Sequence, residues 1–404
     1  MKRVVLTIAL CVAATAAFAQ KKAVSEAQSI AKSTNGNFNE ARELIKGALG
    51  NADTKDDPKT WYVAGYVEDQ QFSAERMKQM LGQQPNEAVM YAALLNILQF
   101  FEKSYELDQL PDAKGKVKPK HAKDIEGILS ADHIYYINAG AYYFNERNYK
   151  QAHESFDQYV KISDLPMFKG KKVAERDSNF MIAQYYAALA ATQLEDHELA
   201  IKDLKRATTI DYNLSEVYQY LFNEYQILSD TTNMEKTLEE GLKKVPGEQF
   251  FLLNLINIYI YTNRLDQATN YLKTAIAQAP DNAQLYNVMG IVYEQTKDEA
   301  NAEQSFAKAI ELDPNSADFA SNLGRIYFNQ AYNKQNEANA ITDNKQYQEE
   351  LQKAKELFQK ARPYFEKAHQ LKPDEREYMV ALRGIFYNLN MSAELKAIET
   401  EMGL

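Results

Sequence analysis

The chain has 404 residues, of which 45% are hydrophobic and 25% charged, and its formal net charge is −10 at pH 7. This acidic balance argues against nucleic acid as a partner, because binding to a phosphate backbone requires clustered lysine and arginine. Cys11 is the only cysteine, so the chain forms no intramolecular disulfide and its stability must come from packing.

Residues 1–19 have the pattern of a cleaved secretory signal peptide. Lys2 and Arg3 precede an apolar run at residues 4–14, and residues 17–19 form a small-x-small cleavage site before Gln20. The apolar run is too short to remain as a membrane-spanning helix, and no later apolar stretch is longer. We therefore predict an exported bacterial protein that is not an integral membrane protein.

The expected location of the mature chain is the periplasm, with outer-membrane association or secretion as alternatives. Cleavage after Ala19 releases the chain in soluble form. Lipid anchoring through Cys11 stays open as a less favoured alternative, because Leu10 is a poor residue directly before a lipidated cysteine.

Residues 20–110 are predicted to form N-terminal helix hairpins. In the first, Lys22–Gly50, apolar residues recur with helical spacing on two segments, as expected for the cap of an array. In the second, Pro58–Asp108, the helical period continues to Gly82, a turn follows at residues 83–86, and the period resumes. This pattern predicts two lengthened helices that project roughly 15 Å beyond ordinary neighbours, at 1.5 Å per residue.

Residues 111–127 are predicted to be a basic linker. Gly115 and Pro119 interrupt the helical pattern, and lysine predominates over the single acid before residue 124, Asp112. A second lysine-containing segment, residues 166–177, delays the repeat that follows it. Since both segments connect repeats, they suggest a local basic patch, although solvated loops are the simpler interpretation.

Residues 128–404 are organised by a repeat of 34 residues. Pro246, Pro280 and Pro314 share this spacing. Residues 283–316 contain two apolar stripes with helical spacing, separated by a short turn. The patterns W-x2-L-G-x2-Y and A-x3-F…P are matched at Tyr286, Met289, Gly290, Tyr293, Ala302, Phe306 and Pro314. This segment resembles one tetratricopeptide repeat (TPR).

The resemblance implies an all-α fold, an α-solenoid of TPR helix hairpins that binds other molecules. The repeat that begins at Ala317 is lengthened, because its second half arrives about 25 residues late, and it predicts a second elongated, projecting hairpin. Arg376–Leu404 then forms a C-terminal cap that completes the array.

In TPR solenoids the first helix of each hairpin lines the concave face, so the resemblance implies partner-binding residues there. The expected groove is mixed apolar and amide, with little charge. Its residues are Tyr185, Leu189, Gln219, Asn223, Phe250, Leu253, Asn257, Asn287 and Ile291. Because asparagine is a mediocre helix former, the three asparagines indicate either contacts to a ligand backbone or simple solvent exposure.

Motifs that carry catalysis or metal binding are missing from the sequence. The five histidines are scattered without metal-ligand spacing, and no G-x-S-x-G, Walker A, G-x-G-x-x-G or H-E-x-x-H pattern occurs. We therefore predict a protein that is not an enzyme, with no catalytic or metal site and no cofactor.

The leading functional hypothesis is a non-enzymatic periplasmic TPR scaffold or adaptor that mediates protein–protein interaction in the cell envelope. The alternative is a peptide- or glycan-binding module that uses the concave groove, motivated by the 27 tyrosines and by Tyr185 in particular. A third hypothesis is homo-oligomerisation through the elongated hairpins.

Overall fold

A computed structural model describes residues 19–33, 36–112 and 114–404. The predicted signal peptide lies outside these ranges, apart from Ala19. Within them every regular element is helical, which confirms the all-α prediction. The chain divides into two compact units, Met1–Met234 and Glu235–Leu404.

The first unit is a series of antiparallel helix hairpins. Its helices are α1 (residues 19–32), α2 (Phe38–Gly50), α3 (Pro58–Met80), α4 (Glu87–Asp108), α5 (Ala122–Asn145), α6 (Tyr149–Asp164), α7 (Ser178–Thr192), α8 (His197–Ala207) and α9 (Leu214–Ile227). Two 3₁₀ turns, Pro166–Phe168 and Lys172–Ala174, lie between α6 and α7. Helix α10 (Thr231–Lys244) spans the division between the units.

The second unit continues the same hairpin arrangement. Its helices are α11 (Gln249–Tyr261), α12 (Leu265–Gln278), α13 (Ala283–Gln295), α14 (Glu299–Leu312), α15 (Ala317–Ala338), α16 (Asn344–Leu371), α17 (Arg376–Asn388) and α18 (Ser392–Glu401). Helices in both units begin at side chains that accept a backbone N–H of the first turn, which satisfies a donor without an intrahelical partner. These caps include Asn86, Asp177, Asp196, Asn282, Asp298 and Asp343.

A glycine on the first helix of a hairpin faces a phenylalanine on the second. A Cβ atom on Gly290 would lie 2.6 Å from the Phe306 ring, and a Cβ atom on Gly140 would lie 2.5 Å from the Phe156 ring. These distances are too short for two carbon atoms in contact, so only glycine allows the phenylalanine to fill the space. The small residue of the repeat therefore determines how closely the two helices pack.

The two hairpins that the sequence predicted to be elongated are elongated. Helices α3 and α4 have 23 and 22 residues, and α15 and α16 have 22 and 28, whereas α13 and α14 have 13 and 14. A third long helix flanks the N-terminal pair, because α5 has 24 residues and its side chains contact α3. The Phe72 and Tyr135 rings, from α3 and α5, meet edge to face at 5.3 Å.

The predicted linker at residues 111–127 is shorter and more firmly held than expected. Helix α5 already begins at Ala122. The carboxylate of Asp108, at the end of α4, accepts the backbone N–H groups of Lys120 and His121 at 2.7 Å each and that of Ala122 at 3.2 Å. Asp108 thus caps a helix that begins 14 residues later, and buried residues of one hydrophobic core occur on both sides of the segment.

Candidate functional site

The nine residues predicted to bind a partner are divided between the two units. In the first unit Asn223 is exposed, and Leu189 and Gln219 are half-buried. Tyr185 is only 5% exposed, and its hydroxyl donates to the carboxylate of Glu216. Burial, and then this hydrogen bond, raise the pKa of Tyr185. The structure therefore corrects the expectation for Tyr185, because its ring is part of the packing and offers no open face to a ligand.

In the second unit an open stripe runs along α11. Leu253 is 37% exposed and Asn257 is exposed one turn later, while Phe250 and Ile291 are half-buried. Tyr261 follows at the same four-residue spacing and is 90% exposed. We did not predict Tyr261 as a site residue, although its spacing from Leu253 and Asn257 places it on the same helix face.

Asn287 is the second predicted site residue that is not open. It is 5% exposed, and its Oδ1 accepts a hydrogen bond from Asn322 Nδ2 at 2.8 Å. Asn322 Oδ1 in turn accepts from Arg325 at 3.0 Å, and Arg325 pairs with Glu294. This chain of contacts joins the first helices of successive hairpins, α13 and α15. Asn287 therefore has a structural partner, which explains an asparagine inside a helix without a ligand.

The end of the α3–α4 hairpin carries exposed apolar side chains. Met77, Met80 and Leu81 are 53%, 73% and 67% exposed, and Val89 on the facing helix is 38% exposed. We call these four residues the apolar tip. They lie at the end of the first elongated hairpin, next to the polar turn at residues 82–86.

Hydrogen bonds join the two ends of the α3–α4 turn beside the apolar tip. Glu75, itself 6% exposed, accepts the backbone N–H of Asn86 at 2.8 Å and the Lys78 ammonium at 2.7 Å. Burial raises the pKa of Glu75, but the hydrogen bonds from Lys78 and Asn86 outweigh it and hold the pKa below its usual value. Asn86 also caps α4 by accepting from Val89 N at 3.1 Å, and Gly82 supplies a left-handed residue with φ of 71°.

The lysine segments do not form a basic patch. A cleft of about 710 Å³ beside the first segment is lined by Lys59, Lys116, Lys118 and Lys120 together with Asp56, Asp57, Asp108 and Asp112. From the second segment, Lys171 pairs with Glu126 of α5 at 2.5 Å. Carboxylates therefore balance the lysines around this cleft, and the suggested basic surface is not present there.

A pair of carboxyl groups is buried between α3 and α5. Asp69 and Asp132 are 6% and 2% exposed, and Arg76 lies 3.4 Å from Asp132. Burial, and then the neighbouring Asp69 carboxylate, raise the pKa of Asp132, and burial raises that of Asp69. Pairs with perturbed pKa values often mark active sites. Both carboxyl groups are almost completely buried in the helix interface, so we expect this pair to affect stability.

Two further properties of the described residues bear on function. No group of three or more histidine, cysteine, aspartate or glutamate side chains is arranged to hold a metal ion in that part of the chain. None of the helices described there is both long enough and apolar enough to span a membrane.

Comparison with known proteins identifies tetratricopeptide repeats at residues 178–214 and 253–317. A curated relative is anaphase-promoting complex subunit 3 of Schizosaccharomyces pombe, which is 24% identical over 122 residues. That match covers 30% of this chain but only 18% of the yeast protein, so the chain spans less than a fifth of its length.

Solved structures of repeat proteins also align with the chain. One is the C-terminal part of a TPR repeat-containing protein from Cytophaga hutchinsonii, with 16% identity, a TM-score of 0.44 and coverage of 66% of this chain and 93% of that one. Another is a TPR repeats protein from Bacteroides fragilis, with 20% identity, a TM-score of 0.32 and coverage of 63% and 97%. The segments that match the family models, residues 178–214 and 253–317, coincide with the helix hairpins α7–α8 and α11–α14, so the chain contains tetratricopeptide repeats there.

Proposed function

We propose that this protein is a non-enzymatic periplasmic scaffold that docks a partner protein through the apolar tip of the α3–α4 hairpin. TPR proteins generally mediate protein–protein interaction and are typically non-catalytic. The periplasmic location rests on the pattern of residues 1–19 alone. The proposal is more specific than the general function of the family, because it names the element through which the partner docks.

The observation that carries the proposal is the exposure of three large apolar side chains at the end of α3. Met77, Met80 and Leu81 cost free energy while they face water. Their spacing of three and four residues places them on one side of the helix end, and grouped exposed apolar side chains mark interaction sites. Methionine adapts its shape to apolar partners. Because Glu75 and Asn86 already fix the turn, little conformational entropy is lost when a partner binds.

The chemistry of the tip favours a protein partner over a lipid surface. Its neighbours in the chain include the neutral amides of Gln79, Gln83 and Gln84, and the nearby cation Lys78 already pairs with Glu75. Binding to an anionic membrane draws on several unpaired basic residues close to the apolar ones. An apolar protein surface with a polar rim matches methionines surrounded by amides.

The test is crosslinking in intact cells, followed by affinity capture of the tagged full-length chain and mass spectrometry. The double variant Met80→Asp/Leu81→Asp should recover its partner at least about tenfold less well, because two charges would be buried without counter-ions. Leu110→Asp is the matched control, since Leu110 is 59% exposed in the same unit and lies after the opposite end of α4. Equal recovery by the double variant and the control would refute docking through the tip.

A peptide- or glycan-binding face is the second candidate, favoured by the open stripe on α11. Leu253, Asn257 and Tyr261 provide an apolar group, an amide and an exposed aromatic ring on one helix face. Calorimetry against envelope oligosaccharides and extended peptides should give heat with the wild-type protein and not with Tyr261→Ala. No heat with the wild type would remove this candidate.

A further inference from the structure

The C-terminal end of the second unit contains a cleft that none of the predicted binding residues lines. It has a volume of about 400 Å³ and lies between α16 and the turn that joins α17 to α18. Its lining residues are Gln335, Leu351, Ala354, Lys355, Phe358, Phe386, Tyr387, Asn388, Asn390, Met391, Ser392 and Leu395. We call it the C-terminal cleft.

The cleft results from a mismatch in helix length. Helix α17 ends at Asn388, where its side chain accepts a hydrogen bond from Gln335 of α15 at 2.9 Å. Helix α16 begins at Asn344 and is more than twice as long as α17. Its early turns, with Leu351 and Lys355, therefore extend past the end of α17 and line the cleft together with the α17–α18 turn. The elongated hairpin leaves a notch that an ordinary repeat would not have.

The floor and part of the walls of the cleft are apolar. Ala354, Phe358 and Phe386 are 2%, 1% and 6% exposed and form the floor. Leu351 and Met391 are half-buried and form part of the walls. A volume of about 400 Å³ is within the roughly 300–1,000 Å³ typical of ligand pockets. It suits one or two bulky side chains and is too small for a folded domain.

The polar lining residues are mainly amides, together with one cation. Asn388 is oriented by its bond to Gln335 and by donation to the Gly384 carbonyl at 2.8 Å. Asn390 is exposed on a turn with φ of 57°. Lys355 is exposed, is the only charged residue of the lining, and has no ion-pair partner within the described part of the chain.

We propose that the C-terminal cleft binds an extended peptide segment in which a bulky apolar residue is followed by an acidic one. The apolar side chain fills the floor above Phe358 and Phe386. Lys355 gives the acidic side chain a charge-assisted hydrogen bond, and the amides of Gln335 and Asn390 bind the peptide backbone. A fatty chain would fill the apolar floor but would offer no hydrogen bond to the Asn390 amide and no charge to Lys355. This site is independent of the apolar tip, which belongs to the other unit.

The binding experiment uses the purified full-length protein and a fluorescein-labelled pool of hexapeptides. Each peptide has phenylalanine or leucine at its third position, aspartate at its fourth and mixed residues elsewhere. Peptides retained by the immobilised protein are sequenced, and the best is measured by fluorescence polarisation. We expect saturable binding with a Kd below about 1 mM. Replacing the apolar residue by serine, or the aspartate by lysine, should weaken it at least about tenfold, which corresponds to 1.4 kcal/mol.

Variants of the protein locate the binding to the cleft. Lys355→Glu should weaken binding at least about tenfold, and Lys355→Arg should keep most of the affinity because the positive charge remains. Lys396→Glu is the matched control, since Lys396 is an exposed lysine on α18 outside the cleft, and it should change the Kd less than about twofold. Thermal unfolding by circular dichroism confirms that each variant is folded.

Three results would overturn the proposal. The first is no saturable binding by any member of the pool. The second is an equal loss of affinity in Lys355→Glu and Lys396→Glu, which would indicate a general charge effect. The third is binding of 3-phenylpropionate as tight as that of the best peptide, which would make the occupant a small apolar carboxylate. The variants Met80→Asp/Leu81→Asp should bind the peptide normally, so loss of docking at the tip and loss of peptide binding are distinguishable.

Discussion

At the scale of single residues, the carboxyl pair between α3 and α5 is the clearest conflict between burial and charge. Asp69 and Asp132 are almost completely buried, with Arg76 as the cation close to Asp132. Arg76 also lies over the rings of Phe72 and Tyr135, at 5.6 and 5.2 Å from their centroids. One cation cannot balance two buried carboxylates. The pKa of Asp132 is therefore raised, and this residue retains its proton at pH values well above the usual pKa of an aspartate.

We expect the stability of the first unit to depend on this proton. Because the pKa of Asp132 is raised in the folded chain, the folded state binds more protons than the unfolded state between about pH 4 and the raised value. Stability therefore falls as pH rises through that window. Asp132→Asn cannot ionise, so between pH 5 and pH 9 its free energy of unfolding should improve by about 1 kcal/mol or more relative to the wild type.

Urea unfolding followed by circular dichroism at several pH values measures this difference. Asp211→Asn is the control, since Asp211 is exposed in the same unit and its replacement should leave the pH dependence of the wild type unchanged. If the curves of Asp132→Asn and the wild type remain parallel from pH 5 to pH 9, Asp132 does not hold the proton.

At the scale of elements, the short turns inside the hairpins share an unusual backbone conformation. The residue two or three positions after the end of the first helix is left-handed although it is not glycine. Its φ lies between 55° and 62° at Glu195, Ser229, Asn263 and Lys297, which are 34 residues apart. In each of the last three turns the next N–H bonds back to the carbonyl of the motif tyrosine, as from Asp298 to Tyr293 at 2.9 Å. This bond ends the helix and directs the chain into the next one.

Lys297→Gly should stabilise the second unit by about 0.5–1 kcal/mol. A left-handed conformation costs a residue with a Cβ roughly 1–2 kcal/mol, and glycine removes this cost. Glycine also makes the unfolded chain more flexible, which lowers the stability of the folded state by about 0.5–1 kcal/mol. Chemical unfolding of the two proteins side by side gives the difference. Ala307→Gly, at an exposed position inside α14, should instead lose about 1 kcal/mol. A loss of stability in Lys297→Gly would show that the lysine side chain contributes contacts of its own.

The elements also show what the sequence can predict. The apolar period indicated both elongated hairpins, and the structure confirms them, because a helix that packs on its neighbours must repeat its apolar residues. The start of α5 at Ala122 was missed, since the residue that caps it, Asp108, lies at the end of another helix. The burial of Tyr185 and Asn287 was missed for the same reason. Their partners Glu216 and Asn322 come from later hairpins, and spacing within one helix does not reveal them.

At the scale of the whole molecule, the N-terminal cap connects the fold to the proposed export. In the first hairpin Val24, Ala27 and Ala31 of α1 are at most 4% exposed, and they pack in one core with Ala41 and Ile45 of α2. All of these residues follow Gln20. A chain that begins at Gln20 therefore keeps the contacts that close the end of the array, so cleavage after Ala19 is compatible with a folded cap.

We predict that the protein recovered from the periplasm begins at Gln20, as N-terminal sequencing and intact mass can show. Leu6→Arg should trap the full-length chain in the cytoplasm, because a charge interrupts the apolar run of a signal peptide, whereas Leu6→Ile should be exported normally. A chain that retains Met1, or one that begins at a lipidated Cys11, would contradict the prediction.

The stability of purified chains provides a second test. Removal of residues 1–19 should leave the thermal midpoint unchanged, whereas removal of residues 1–33 should lower it by several degrees, because the apolar face of α2 is then exposed to water.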